Sequence, residues 1–128
     1  MKEPIWLEFT EVNAIHLALL SHHGGAEGTR DEGLLEAAIV RPQQVFAYGD
    51  PTPDLCALAA AYAAGIVRNH PFVDGNKRTG FLAAYTFLGV NELELIASEV
   101  EATSMVIALA AGEMEENVFA QWLRERTS

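Results

Sequence analysis

The sequence predicts an all-α protein of about six helices. Apolar residues recur at helical spacing in about six separate stretches. Capping and stop residues bracket those stretches. The alternating run from Glu92 to Leu95 has no second run to pair with, so a sheet is not expected. The length fits one domain spanning 1–128, and half of the residues are hydrophobic, enough for a sizeable core.

Leu7 to His23 reads as a helix that Thr10 can cap, with Val12, Ile15 and Leu19 on one stripe. Gly24-Gly25 stops it. His22 and His23 fall in its last turn, where the helix dipole favours positive charge, and read as a solvated end rather than a metal pair. His16, in mid-helix, reads as a partly buried structural residue. Thr29-Arg30-Asp31-Glu32 has the form of a capping box. It opens a second helix through Leu34, Leu35, Ala38 and Ile39, which Pro42 is expected to break or to restart as a new turn. Tyr48 to Pro53 is a loop by composition, either a connector or a mobile edge over a site.

Thr52 and Pro53 then start a third helix that runs to about Asn69. Leu55, Leu58, Tyr62 and Ile66 form one face, and alanines and Gly65 form the other. A helix that is apolar or small all round is buried on several sides, so this one is the expected centre of the fold. Asn76 to Leu88 is a fourth helix, uncharged beyond Arg78 and stopped by Gly89. Glu92 to Leu95 is expected to be an extended connector. Ser98 to Glu101 is a second capping box, opening a fifth helix with Val100, Met105, Val106 and Leu109. Glu115 to Arg126 is the sixth, with Val118, Phe119, Trp122 and Leu123 facing inward.

Charge and composition narrow the functional classes. A formal net charge of −10 repels nucleic acid and anionic lipid, so direct nucleic-acid binding is not expected. No apolar run is long enough for a membrane span, and the N-terminal residues do not resemble a secretory signal. The single cysteine, Cys56, lies in an apolar helix pattern and reads as a core residue; its isolation fits a reducing cytoplasm. Residues 91–128 carry eight acids against two bases, whereas Arg68, Lys77 and Arg78 fall within one eleven-residue window. That window is either a small-anion site or a pair of solvated helix ends.

The chemistry-bearing residues are concentrated in His70-Pro71-Phe72-Val73-Asp74-Gly75-Asn76-Lys77-Arg78-Thr79. The stretch joins the end of one buried helix to the start of the next. Free N–H groups and the positive dipole end at Asn76, Lys77 and Arg78 make an anion site. Gly75 lets an anion approach the backbone, and arginine can bind phosphate through two nitrogens. A carboxylate at Asp74 beside that pocket suits Mg²⁺, which is commonly held by one or two carboxylates plus phosphates. His70 is the nearby group able to exchange a proton around neutral pH. A base, a metal-holding carboxylate and a phosphate cradle are the recurring parts of phosphoryl or nucleotidyl transfer. The same residues would also serve a plain turn, with Phe72 plugging the core and Asp74 acting as a cap. There is no Walker, HExxH or paired-cysteine pattern.

The ten-residue stretch resembles the signature of the Fic/Doc superfamily, and more narrowly that of death-on-curing (Doc) toxins from bacterial toxin–antitoxin pairs. Thr29 to Glu36 and Arg41-Pro42 match a further stretch typical of these proteins, and the likeness covers nearly the whole chain. The resemblance implies a compact helical fold. It implies His70 as general base toward a target hydroxyl, Asp74 as Mg²⁺ ligand, and Gly75, Asn76, Lys77 and Arg78 as the phosphate-binding loop. Arg68 fits an arginine that precedes the histidine by two residues in Doc-like proteins.

Departures from the broader Fic pattern refine what the resemblance implies. Adenylylating members usually have glycine where Lys77 stands, and a second arginine where Phe81 stands. In Doc-like members a lysine there goes with kinase activity: ATP binds in reverse and its γ-phosphate passes to a protein hydroxyl. The family target is a threonine of elongation factor Tu, and the consequence is arrested translation. Glu27-Gly28 and Glu116-Asn117 supply only the end of the family's inhibitory-helix pattern, since His23 and Gly112 stand where Ser or Thr belongs. Restraint is therefore expected from a separate cognate antitoxin, whose basic segment would suit this acidic surface. The alternatives are a Fic-type adenylyltransferase and a catalytically silent partner-binding protein.

Overall fold

The computed structural model describes residues 2–128 as six helices: α1 Phe9–His23, α2 Glu32–Tyr48, α3 Leu55–Asn69, α4 Asn76–Val90, α5 Glu99–Ala110 and α6 Glu116–Arg126. The all-α expectation holds. None of these helices is long and apolar enough to cross a membrane.

α3 is the centre. Every residue from Leu58 to Val67 is buried, and α2, α4, α5 and α6 all pack against it. Small residues make this crowding possible. A β-carbon on Gly65 would sit 3.2 Å from the Ala38 β-carbon of α2. One on Gly80 of α4 would sit 2.7 Å from Cγ1 of Val67. Tyr62, fully buried in α3, ties down the N-terminal segment: its hydroxyl accepts from Leu7 N–H at 2.9 Å and donates to Leu7 C=O at 3.2 Å. Burial pushes its phenol up to about 12.

Several boundaries differ from the sequence reading, each for a local reason. Acidic side chains, rather than threonines, cap α2 and α3. Asp31 accepts from Leu34 N–H at 3.0 Å, and Asp54 accepts from Ala57 N–H at 2.8 Å. At α1 the N-cap is Glu8, not Thr10. α2 runs straight through Pro42 to Tyr48, because Leu35, Ala38, Ile39 and Pro42 are buried together, which offsets the missing N–H. α4 continues past Gly89 to Val90, where the Asn91 amide donates to Phe87 C=O at 2.8 Å. Val100 and Val118 face solvent, at 81% and 49% exposure, so neither belongs to the core.

The Glu92–Leu95 run does have a partner. Leu95 forms an antiparallel bridge with Thr127, and Glu94 and Ser128 exchange two backbone bonds of 3.1 Å. The partner is too short and too distant in sequence to announce itself. The Tyr48–Pro53 loop is a plain connector. It lies at the N-terminal end of α3, a helix of fifteen residues and therefore about 22 Å long, whereas His70 follows its C-terminal end.

Two predictions follow from this packing. Gly80→Ala should destabilise the fold by about 1–3 kcal/mol from the clash with branched Val67, outweighing the roughly 1 kcal/mol gain in helix propensity; chemical denaturation reads it. The Arg124 guanidinium, 2.6 Å from Asp54, holds that carboxyl below its ordinary value of 3.8. A lowered folded value means stability present at neutral pH and lost as pH falls through the carboxylate range. Asp54→Asn, which keeps the cap, should cost about 0.5–1 kcal/mol at pH 7 and progressively less as pH falls below the ordinary carboxylate value.

Candidate active site

α3 ends in an unusual way. His70 is its C-cap, with φ 51° and ψ 52°, and its N–H donates to Ile66 C=O at 3.1 Å. This left-handed conformation costs a residue with a β-carbon about 1–2 kcal/mol. The chain then plunges inward. Pro71 and Phe72 are buried, and Asn76 locks Phe72 from the next helix. The Asn76 amide accepts from Phe72 N–H at 2.9 Å and donates to Phe72 C=O at 3.0 Å.

Two further segments clamp the loop. From α1, the His16 ring stacks on Phe72 at 3.8 Å and 9°, and its Nε2 donates to Asp74 C=O at 2.8 Å. That bond places a hydrogen on Nε2, since a carbonyl can only accept. From the α1–α2 connection, Gly28 C=O accepts from Val73 N–H at 3.0 Å, and Thr29 bridges Phe72. Arg30 and Asp31 N–H both donate to Pro71 C=O, at 2.6 and 3.0 Å. The Arg30 guanidinium reaches His70 C=O at 2.7 Å and Asn69 C=O at 2.9 Å.

The start of α4 is left open. Gly75, with φ 81°, is the N-cap and offers no side chain. The first intrahelical bond runs from Thr79 N–H to Gly75 C=O. The N–H groups of Asn76, Lys77 and Arg78 therefore point out of the helix without a capping partner. Lys77 and Arg78 are exposed and, among the described residues, form no ion pair. Asp74 turns one carboxylate oxygen onto Gly75 N–H at 2.8 Å. The other lies against Gly25, where an added β-carbon would meet it at 2.7 Å.

These groups share a cleft of about 650 Å³ between the motif and α5. His70, Asp74, Gly75, Asn76, Lys77 and Arg78 line one end; Phe81, Tyr85, Leu95, Ala102 and Val106, with Glu99 and Thr103 among them, line the mostly apolar remainder. Six of the seven residues singled out from sequence are thus brought together. Arg68 is not among the lining residues; its guanidinium donates to Met114 C=O at 3.2 Å, on the side of α3 facing the α5–α6 turn. Asn76 contributes through its backbone, because both ends of its amide are engaged by Phe72. His23 also lines the cleft, at the end of α1 that the sequence marked only as solvated.

The residues fit a divalent cation in one way. Among the described residues, no cluster of three His, Cys, Asp or Glu side chains could cage an ion. The single Asp74 carboxylate, next to uncapped N–H groups and two cations, suits Mg²⁺ that arrives with phosphate oxygens.

A protein-family model described as the Fic/DOC family matches residues 6–88. The chain belongs to that family. The match spans α1 through most of α4 and includes every group that forms the motif end of the cleft. Two Fic/DOC relatives are similar. "Toxin Doc" of Mycolicibacterium smegmatis is 49% identical over 74 residues, 58% of this chain and 57% of the relative, so the alignment spans little more than half of that protein. "Protein kinase doc" of Escherichia phage P1 is 37% identical over 114 residues, 89% of each chain.

His16 and Arg30 were not chosen as functional from the sequence. A histidine in the middle of an otherwise amphipathic stripe was the available signal for the first. For Arg30 the signals were its place in an apparent capping box and in the Thr29–Glu36 stretch that resembles the family. His16→Leu should leave the Asp74 carbonyl without its donor and cost about 2 kcal/mol in urea unfolding. His16→Gln, which can present an amide donor at a similar reach, should recover part of that loss.

Proposed function

We propose that this chain is a Doc-type toxin that transfers the γ-phosphate of ATP to a protein hydroxyl. The observation that carries the reading is the juxtaposition, in one cleft, of the His70 imidazole and the uncapped start of α4 with Lys77 and Arg78, which form no ion pair among the described residues. Phosphoryl transfer needs mainly positioning and charge stabilisation, and this end of the cleft offers both.

In this reading the target hydroxyl lies against His70, which takes its proton as the oxygen attacks phosphorus. The bond from the γ-phosphorus to its bridging oxygen breaks, and ADP leaves. The N–H groups of Asn76, Lys77 and Arg78, with the two side-chain cations, hold the phosphate oxygens and offset their charge. Mg²⁺, held by Asp74 and the phosphates, would neutralise charge on the transferring group. Lys77 and Phe81, where adenylylating members have glycine and arginine, favour the kinase over AMP transfer. By the resemblance the substrate is elongation factor Tu, the outcome is arrested translation, and a cognate antitoxin restrains the protein.

The chemistry is tested with ATP labelled at the α or the γ phosphate, incubated with a translation extract. Protein label from the γ position alone is expected. Label from the α position would replace the kinase with an adenylyltransferase. His70→Ala should lower γ transfer at least about 100-fold, in the range of a lost general base; unchanged transfer removes His70 from that role.

A further inference from the structure

We infer that Arg30 is a positioning residue for His70, acting from outside the cleft through the backbone of residues 69–71. The inference rests on His70 being the base proposed above.

Arg30 sits on the connection between α1 and α2, forty positions from His70. It nevertheless binds three consecutive carbonyls at the end of α3. Its Nε donates to His70 C=O at 2.7 Å, its Nη2 to Asn69 C=O at 2.9 Å, and its own N–H to Pro71 C=O at 2.6 Å. The last carbonyls of a helix lack intrahelical partners, and positive charge is favoured there. A planar guanidinium holds two adjacent carbonyls in a fixed fork geometry, whereas a lysine ammonium is a flexible point charge. The residue between the two bound carbonyls is the left-handed His70. A strained backbone of this kind persists only where its surroundings hold it. Arg30 does not line the cleft and, among the described residues, forms no ion pair. Its contacts are spent on the peptide units that aim the imidazole. Because Arg30 is exposed, its side chain can be changed without opening the core.

The experiment compares Arg30→Ala, Arg30→Lys and His70→Ala with the wild type. It reads steady-state γ-phosphate transfer, Tm, and the His70 ¹³Cα and amide NMR shifts in nucleotide-free protein. In Arg30→Ala, kcat should fall about 10- to 100-fold, as for a misplaced catalytic group. KM for ATP should stay within about twofold, since the α4 cradle is untouched. Arg30→Lys should be intermediate. The His70 shifts should leave their left-handed values in Arg30→Ala. A folded Arg30→Ala with unchanged kcat overturns the inference. So does a loss of activity that follows Tm while the His70 shifts stay in place. If Arg30→Ala does not fold, Arg30→Gln, which keeps the stem and one amide donor, is read by the same criteria. Should His70→Ala keep its activity, the base reading fails, and the NMR shifts still decide whether Arg30 sets the His70 backbone.

Discussion

α3, buried on every side from Leu58 to Val67, is joined to α4, which buries one face, by only six residues, 70 to 75, and the polar backbone groups of that short turn need partners where they are buried. The turn is made possible by Phe72. It fills the core, stacks on His16, and has both its backbone groups closed by the Asn76 amide. With Phe72 fixed, the residues before and after it have little freedom left. His70 must leave α3 in a left-handed conformation, and Asp74-Gly75 must turn the chain into α4.

The two helix ends are treated differently, and that asymmetry makes the site. The carbonyl end of α3 is satisfied by the protein itself, through Arg30 and the 28–31 segment. The N–H end of α4 is not capped by any side chain. It is left facing a cleft beside two cations on a protein whose formal net charge is −10. A local anion-binding spot can thus exist on an acidic molecule without being cancelled by nearby ion pairs. The ion pairs that are present, such as Arg41–Glu116 and Arg126–Glu101, fasten other elements.

Much of this was legible in the sequence, and what was not has a physical reason. The burial of α3 follows from its lack of charge, and the uncapped helix start follows from placing Gly75 ahead of Asn76 to Arg78. Family membership was legible in the motif residues. Helix starts were less so, because Asp and Thr compete as caps and only geometry chooses Asp31 over Thr29 and Asp54 over Thr52. Pro42 was misleading because tertiary burial outweighed its local penalty. Arg68 was placed by position in the motif, but a helix turns 100° per residue, so two residues before His70 its side chain points elsewhere. His16 and Arg30 act across 58 and 40 positions, and spacing along a chain carries no trace of such contacts.

The pairing of Leu95 with Thr127 bears on the opposite wall of the cleft. Leu95, Ala97 and Glu99 line that wall, and the backbone of residues 94–96 is bonded to residues 126 and 128. Arg126 also grips Glu101 of α5 through two bonds of 2.9 Å. The wall, the α5 start and the 126–128 segment therefore form one mechanical unit. The gap between this unit and the motif sets the largest group that can lie alongside the uncapped start of α4. The width of that gap is thereby set from residues 126–128, remote in sequence from the motif, in the way that a vice jaw is set by its screw.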